Sequence, residues 1–86
     1  MFKLVLLTGA RKAYEKLFVS DRAHFDRVRA AIHALSAEPY LGKPLRHELK
    51  GKYSLRVGVY RIIYRVERRE VIVYVLDIGH RREIYQ

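Results

Sequence analysis

The stretch YSLRVGVYRIIYRV, residues 53–66, predicts a β-hairpin. Two runs rich in aromatic and β-branched residues flank Gly58-Val59, and such runs are typical of half-buried strands. Gly58-Val59 suits a two-residue type II′ turn, because glycine readily adopts the positive φ that the first central position needs. A turn of this length sets the pairing of every residue that follows it on the two strands.

The predicted register gives the hairpin an apolar face and a charged face. The apolar pairs are Val57–Tyr60, Leu55–Ile62 and Tyr53–Tyr64. On the other face Arg56 stands directly opposite Arg61, although like charges in that position destabilise a sheet. We therefore expect the arginine pair to serve a ligand, with a phosphate between the two side chains relieving the repulsion. The alternative is that each arginine pairs with an acid such as Glu48 or Glu67.

The first half of the chain predicts a strand and two helices. Residues 2–7 are apolar on both faces except for Lys3, which is typical of a central strand covered on both sides. Apolar residues at spacings of three and four then predict a helix over residues 10–18. Ser20 is the predicted cap of a second helix, which Pro39 ends. The two helices form a helical hairpin.

The second half predicts a loop and then a three-stranded meander. Its strands are residues 52–57, 60–66 and 70–78. A turn over residues 67–70 pairs Val66 with Val71, Tyr64 with Val73 and Ile62 with Val75, and sets Arg61 beside Leu76. The order β-α-α-β-β-β predicts one α+β domain over residues 1–86, with the helical hairpin packed on a mostly antiparallel twisted sheet.

The chain is strongly basic. Eighteen Lys and Arg against nine Asp and Glu give a formal net charge of +9, and residues 43–86 hold eleven of the basic and five of the acidic residues. This excess predicts a polyanionic partner, and a basic surface that serves only solubility is the alternative. The chain has no cysteine, so it has no disulfide and no thiolate ligand for zinc, which fits a reducing cytoplasm.

Missing motifs argue against several classes of protein. No run approaches the ~20 apolar residues of a membrane span, and the first apolar segment is shorter than that of a signal peptide. The sequence lacks the phosphate-cradling G-x-x-x-x-G-K-[ST], the zinc-binding H-E-x-x-H and the nucleophile motif G-x-S-x-G. Since His24, His33 and His47 show no metal-ligand spacing, we expect neither a metal nor another cofactor.

The arginine pair and the residues after the last strand supply groups that suit work on a phosphodiester. Arginine grips phosphate oxygens and stabilises the negative charge that builds up when a phosphate is attacked. Cleavage of RNA through its own 2′-hydroxyl also needs a proton acceptor and a proton donor, for which Lys52, His80 and Tyr85 are the local candidates. His80 as an ordinary exposed residue, and RNA binding without cleavage, are the alternatives.

Residues 41–86, LGKPLRHELKGKYSLRVGVYRIIYRVERREVIVYVLDIGHRREIYQ, resemble the C-terminal half of RelE-type toxins of the RelE/ParE superfamily. The combination of RVGVYRIIY with VLDIGHRREIY carries the resemblance, and the helical hairpin ahead of it agrees in length and order. The resemblance implies a cytoplasmic toxin of a type II toxin–antitoxin system that inhibits translation by cutting mRNA in the ribosomal A site. It also implies a RelB-like or other small antitoxin as partner, besides mRNA and the ribosome.

The resemblance assigns roles by position. The catalytic positions that match are Arg61 for the transition state, Arg81 for the leaving group and Tyr85 for the 2′-hydroxyl. The phosphate-binding positions that match are Lys52 and Arg56, and Arg82 is the alternative to Arg81. Lys50, His80 and Arg82 are further candidates for RNA or phosphate binding, on their chemistry and position near the site. Ser54 departs from the pattern, because well-known members have a second lysine there. A ParE-like inhibitor of DNA gyrase and a non-catalytic RNA- or ribosome-binding module are the functional alternatives.

Overall fold

The computed structural model of this protein describes residues 1–80 and lays two helices on one face of a five-stranded sheet. Its elements are β1 (Lys3–Leu6), α1 (Thr8–Ser20), α2 (Arg22–Ala37), β2 (Lys43–Pro44), β3 (Lys52–Val57), β4 (Tyr60–Glu67) and β5 (Ile72–His80). The sheet order is β1-β5-β4-β3-β2, with β1 parallel to β5 and the other pairs antiparallel. The predicted α+β class and mostly antiparallel sheet are confirmed, and the two-residue strand β2 is an addition to the predicted order.

The β3–β4 hairpin forms in the predicted register. Every predicted cross-strand pair is present, including Arg56 with Arg61. Gly58 has a φ of 61°, which is the value that a type II′ turn requires at its first central residue. The apolar face of the hairpin turns toward the helices, where Ile62 and Tyr64 are fully buried within the main hydrophobic cluster. The opposite face, which carries the arginine pair, therefore points away from the helices.

Helix α1 is longer than predicted, and Asp21 rather than Ser20 caps α2. α1 begins at Thr8 and runs to Ser20, whose hydroxyl donates a hydrogen bond to the carbonyl of Lys16 at 2.9 Å. Because Ser20 belongs to α1, the N-cap of α2 is the next residue, Asp21, whose backbone is extended (φ −155°). The Asp21 carboxylate accepts from the backbone N–H of His24 at 3.2 Å and lies 2.7 Å from Nδ1 of the same histidine.

The capping carboxylate makes stability depend on acid pH. The hydrogen bond from the backbone N–H of His24 lowers the pKa of Asp21 below its ordinary value of 3.8, outweighing the opposite effect of desolvation. A carboxyl with a lowered pKa stabilises the folded state above its ordinary pKa, and this contribution is lost as the pH falls through the lowered value. We expect the melting temperature of Asp21→Asn to fall less than that of the wild type between about pH 5 and pH 2. Asp26→Asn, on the exposed side of α2, is the control, and equal falls in all three proteins would contradict this role.

Strand β1 lies at an edge of the sheet, so the prediction of a central strand was wrong. It pairs with β5 alone, with Leu4 opposite Val73. The helices explain Leu4 and Leu6, which pack against the main cluster, while Lys3 on the other face is exposed. An apolar run on both faces does not distinguish a central strand from an edge strand that is shielded by neighbouring elements.

The β4–β5 register also differs from the prediction. Tyr64 pairs with Val75 rather than Val73, because the turn is longer and β5 starts at Ile72 instead of Glu70. A shift of two residues turns the same side chains inward, so the apolar pattern does not reveal it. A β-bulge then adds Leu76 to β5, and Ile62 pairs with Ile78 instead of Val75. Arg61 consequently lies opposite Gly79, not beside Leu76.

Candidate functional site

The arginine pair lies on the face of the sheet that the helices leave open. Arg56 is exposed, and its Nε donates to the carbonyl of Gly58 at 3.4 Å. Arg61 is partly buried, with its Nε inside the protein. The two residues face each other across β3 and β4, so their guanidinium groups can converge on one anion.

A groove of about 300 Å³ runs beside this pair. Its lining residues are Leu41, Gly42, Lys43, Ser54, Leu55, Arg56 and Arg61. Three of them are cations, and none of the lining residues in the described part of the chain is an acid. A groove lined in this way attracts a polyanion, since clustered cations raise the local concentration of negative ligands.

None of the acids considered as partners of Arg56 forms an ion pair with it in the described part of the chain. Within residues 1–80 the ion pairs join Arg22 to Asp26 and His24 to Asp21, and none of them involves Arg56. Glu67 instead accepts a hydrogen bond from the backbone N–H of Arg69 at 3.2 Å, in the turn that follows β4. The structure therefore gives no support to a purely structural ion pair for Arg56.

Lys43 lines the groove but was not among the residues that sequence reasoning selected. It belongs to β2, where it pairs directly with Ser54 of β3. Cross-strand partners project to the same side of a sheet, so Lys43 shares the face of Arg56 and Arg61. A strand of two residues has no alternating pattern, and Pro44 next to Lys43 favours a loop, so the sequence carried no signal for this position.

A hydrogen bond from Gly42 to Tyr64 anchors β2. The backbone N–H of Gly42 donates to the hydroxyl of Tyr64 at 2.8 Å, and this tyrosine is fully buried. Burial raises the pKa of the Tyr64 hydroxyl, with a smaller opposite effect of the Gly42 N–H, so the hydroxyl is neutral over the physiological range. A Cβ on Gly42 would lie 2.7 Å from the carbonyl oxygen of Ser54, which shows how closely the two backbones approach.

Lys52, which was also predicted to bind phosphate, lies further along the same face. Lys52 pairs with Arg65, two positions beyond Ser54 on β3. The guanidinium of Arg65 stacks over the ring of Tyr74 at 4.2 Å, which holds this cation over β5. Lys50 precedes β3 in an exposed turn. Lys52 and Arg65 therefore extend the basic face away from the arginine pair.

His80 lies on the other face of the sheet from the arginine pair. It pairs with Tyr60, and the two rings contact at 5.9 Å between centroids. Both line a separate cavity of about 220 Å³ with residues of α1, including Lys16 and Ser20. The structure thus does not bring His80 into the groove of Arg56 and Arg61.

Arg81, Arg82 and Tyr85 lie outside the described residues, so their predicted roles stay predictions. Among residues 1–80, no group of three or more His, Cys, Asp or Glu side chains is arranged to hold a metal ion. In that same range, neither helix has the length and apolar character needed to cross a membrane.

In comparisons with known sequences, this chain matches toxins. A family model described as the ParE toxin of the type II toxin–antitoxin system parDE matches residues 4–85. The chain is 45% identical over 80 residues to the toxin RelG of Mycobacterium tuberculosis. The alignment covers 92% of this chain and 90% of that toxin. It is also 39% identical over 46 residues to the toxin RelE of the same organism, covering 54% of this chain and 47% of that toxin.

Solved structures share the fold. The toxin–antitoxin complex RelBE2 of Mycobacterium tuberculosis contains a chain with a TM-score of 0.81 and 34% identity, and the match covers 92% of this chain and 96% of that one. The YoeB/ParE toxin of Agrobacterium tumefaciens has a TM-score of 0.83 at 23% identity, over 92% of this chain and 98% of that one.

Proposed function

Because this chain belongs to the RelE/ParE superfamily of type II toxin–antitoxin toxins, we propose that it inhibits translation by cutting mRNA in the ribosomal A site. The observation that carries the proposal is the pair of arginines facing each other at a groove whose described lining includes three cations and no acid. Like charges directly opposite each other destabilise a hairpin, whereas a phosphate bound between the two guanidinium groups would offset their repulsion.

The proposed reaction is attack of a ribose 2′-oxygen on the adjacent phosphorus. The new bond closes a 2′,3′-cyclic phosphate, and the bond to the 5′-oxygen of the next nucleotide breaks. The 2′-hydroxyl gives its proton to a base, and the leaving oxygen takes up a proton. Arg61 stabilises the charge on the non-bridging oxygens, since a donor already aimed at the phosphate needs no reorganisation during the reaction. By resemblance, Tyr85 activates the 2′-hydroxyl and Arg81 assists the leaving group.

We expect the ribosome to position the mRNA in the groove. Cations that contact phosphates hold the nucleic-acid backbone but carry no sequence information. The groove lies open on the sheet and supplies such cations, so we assign the placement of the message to the ribosome. The site of action is accordingly the cytoplasm.

An antitoxin is the proposed protein partner. The chain of RelBE2 that resembles this protein over nearly its whole length was solved in a toxin–antitoxin complex. An acidic antitoxin segment that reached the groove would neutralise Arg56 and Arg61 in place of RNA. A complex of this chain with its antitoxin, in which neither arginine met an acidic group, would remove this explanation of inhibition.

Primer extension on a defined mRNA in a reconstituted translation system tests the proposed activity. We expect cuts within the A-site codon that appear only when the wild-type protein and ribosomes are both present. Folded protein that leaves the message intact would overturn the nuclease. RNA or ribosome binding without cut ends would then indicate a binding module.

Inhibition of DNA gyrase is the second candidate, because the matching family model is that of the ParE toxins. It predicts that induction first disturbs DNA supercoiling while protein synthesis continues. Plasmid supercoiling and incorporation of labelled amino acids, measured in the same culture, separate the two functions. Immediate arrest of synthesis with unchanged supercoiling would exclude gyrase as the first target.

A further inference from the structure

We propose that Lys43 is a further phosphate-binding residue of the nuclease site, supplied by the short edge strand β2. This inference rests on the proposed function and names a residue that it does not include. Lys43 lines the same groove as Arg56 and Arg61, and it reaches that groove from a different strand.

The positions of the cations along the sheet carry the argument. Arg56 and Arg61 form one row across β3 and β4, and Lys52 and Arg65 form another row four residues along the strands. Ser54 lies midway, and on β4 the residue opposite it is apolar. Lys43 pairs with Ser54 from the other side, so it supplies the cation of this middle row.

The row spacing suits a single strand of RNA. Alternate residues of a strand project to the same face about 7 Å apart. That interval is comparable to the separation of neighbouring phosphates in an extended single strand. With Lys43 the open face carries a cation in each of three successive rows, whereas without it the middle row is neutral.

The backbone of β2 is held on both sides of Lys43. Before it, the N–H of Gly42 donates to the buried Tyr64 hydroxyl at 2.8 Å. After it, the N–H of Leu45 donates to the carbonyl of Lys52 at 2.8 Å. Pro44 lacks an N–H and is tolerated because β2 lies at the edge of the sheet. The held backbone fixes the point at which the exposed Lys43 side chain leaves the sheet, and its flexible stem carries the ammonium from there.

The first test of this role measures the rate of mRNA cleavage by Lys43→Ala, in the primer-extension assay that contains ribosomes. We expect a rate at least about 10-fold below wild type, the size of a lost hydrogen bond to a charged group. Lys43→Arg keeps the charge and should restore most of the rate. Lys12→Ala is the matched control, because it removes an exposed lysine from α1 on the opposite side of the sheet. If wild type cuts and Lys43→Ala cuts as fast as Lys12→Ala, the inference is overturned.

Binding of a single-stranded 2′-deoxy oligonucleotide gives a readout that does not depend on cleavage, since this probe has no 2′-hydroxyl to attack. Fluorescence anisotropy at several salt concentrations should show weaker binding by Lys43→Ala, with the slope of log affinity against log salt reduced by about 0.7. Lys12→Ala should keep the wild-type slope. If this difference appears but wild type cuts no message on ribosomes, Lys43 stands as a phosphate contact and the proposed nuclease fails. Identical slopes for both variants would overturn the role of Lys43.

Discussion

Arg61→Ala is expected to lower the rate of mRNA cleavage on the ribosome by about 100- to 1,000-fold, the usual effect of removing one preorganised donor from a charge-stabilising site. The side chain lies at the groove and is partly buried, so under the proposed function it would contact the phosphate where water screens the interaction less than at an open surface. That interaction would strengthen as negative charge builds on the phosphate. The loss should therefore appear in the rate of the chemical step more than in binding of the ribosome.

Arg65→Ala is the matched control for this prediction. Arg65 is a cation of the same strand and face, four residues from Arg61, but it stacks on Tyr74 and does not line the groove. Its loss should weaken RNA binding and leave the rate at saturating protein near that of the wild type. Rates are measured by primer extension with saturating protein, and thermal unfolding shows whether each variant is folded. A folded Arg61→Ala protein that cuts as fast as Arg65→Ala would contradict the assigned role. Arg61→Lys should recover only part of the rate, because an ammonium lacks the planar fork of donors.

Gly42→Ala is expected to destabilise the protein by about 1–3 kcal/mol, as overpacking of a tightly packed position does. The added Cβ would lie 2.7 Å from the Ser54 carbonyl oxygen and 2.9 Å from the Tyr64 hydroxyl oxygen. Neither neighbour moves freely, because one belongs to the backbone of β3 and the other to a fully buried ring. The expected response is displacement of β2 from β3, which carries Lys43 out of its row and slows cleavage of the message.

Gly9→Ala is the control for Gly42→Ala. Gly9 lies in the first turn of α1, where a Cβ would have its nearest neighbour at 3.9 Å, the carbonyl oxygen of Leu76. Alanine there should raise the free energy of unfolding by up to about 1 kcal/mol, since glycine weakens a helix. Both variants are compared by urea denaturation and by cleavage rate. Equal stability of the two variants would show that β2 yields to the extra carbon at no cost.

The hairpin register was predictable because local chemistry determines it. A two-residue turn beginning with Gly58 leaves one way to pair the strands, and the facing arginines followed from that pairing. The β4–β5 turn is longer, and a register displaced by two residues buries the same side chains equally well. The pattern of apolar residues therefore could not distinguish the observed β4–β5 register from the predicted one.

The contents of the site were only partly predictable for a related reason. The bulge at Leu76 reverses the alternation of side chains along β5, so that Val75 and Ile78 both enter the core. His80 follows Ile78 by two residues and so turns toward the helices, although without a bulge it would have faced the arginines. Lys43 was missed because its strand is too short to show a period.

The parallel pairing of β1 with β5 determines when the sheet can be completed during synthesis of the chain. Lys3 pairs with Ile72, so β1 leaves the ribosome long before its partner strand exists. β5 lies between β1 and β4, and pairings so distant along the chain form late and slowly. A nascent chain that stops short of Ile72 already contains the arginine pair but lacks the strand that joins the two parts of the sheet. Under the proposed function, a ribosome translating this message meets no finished nuclease until β5 has emerged.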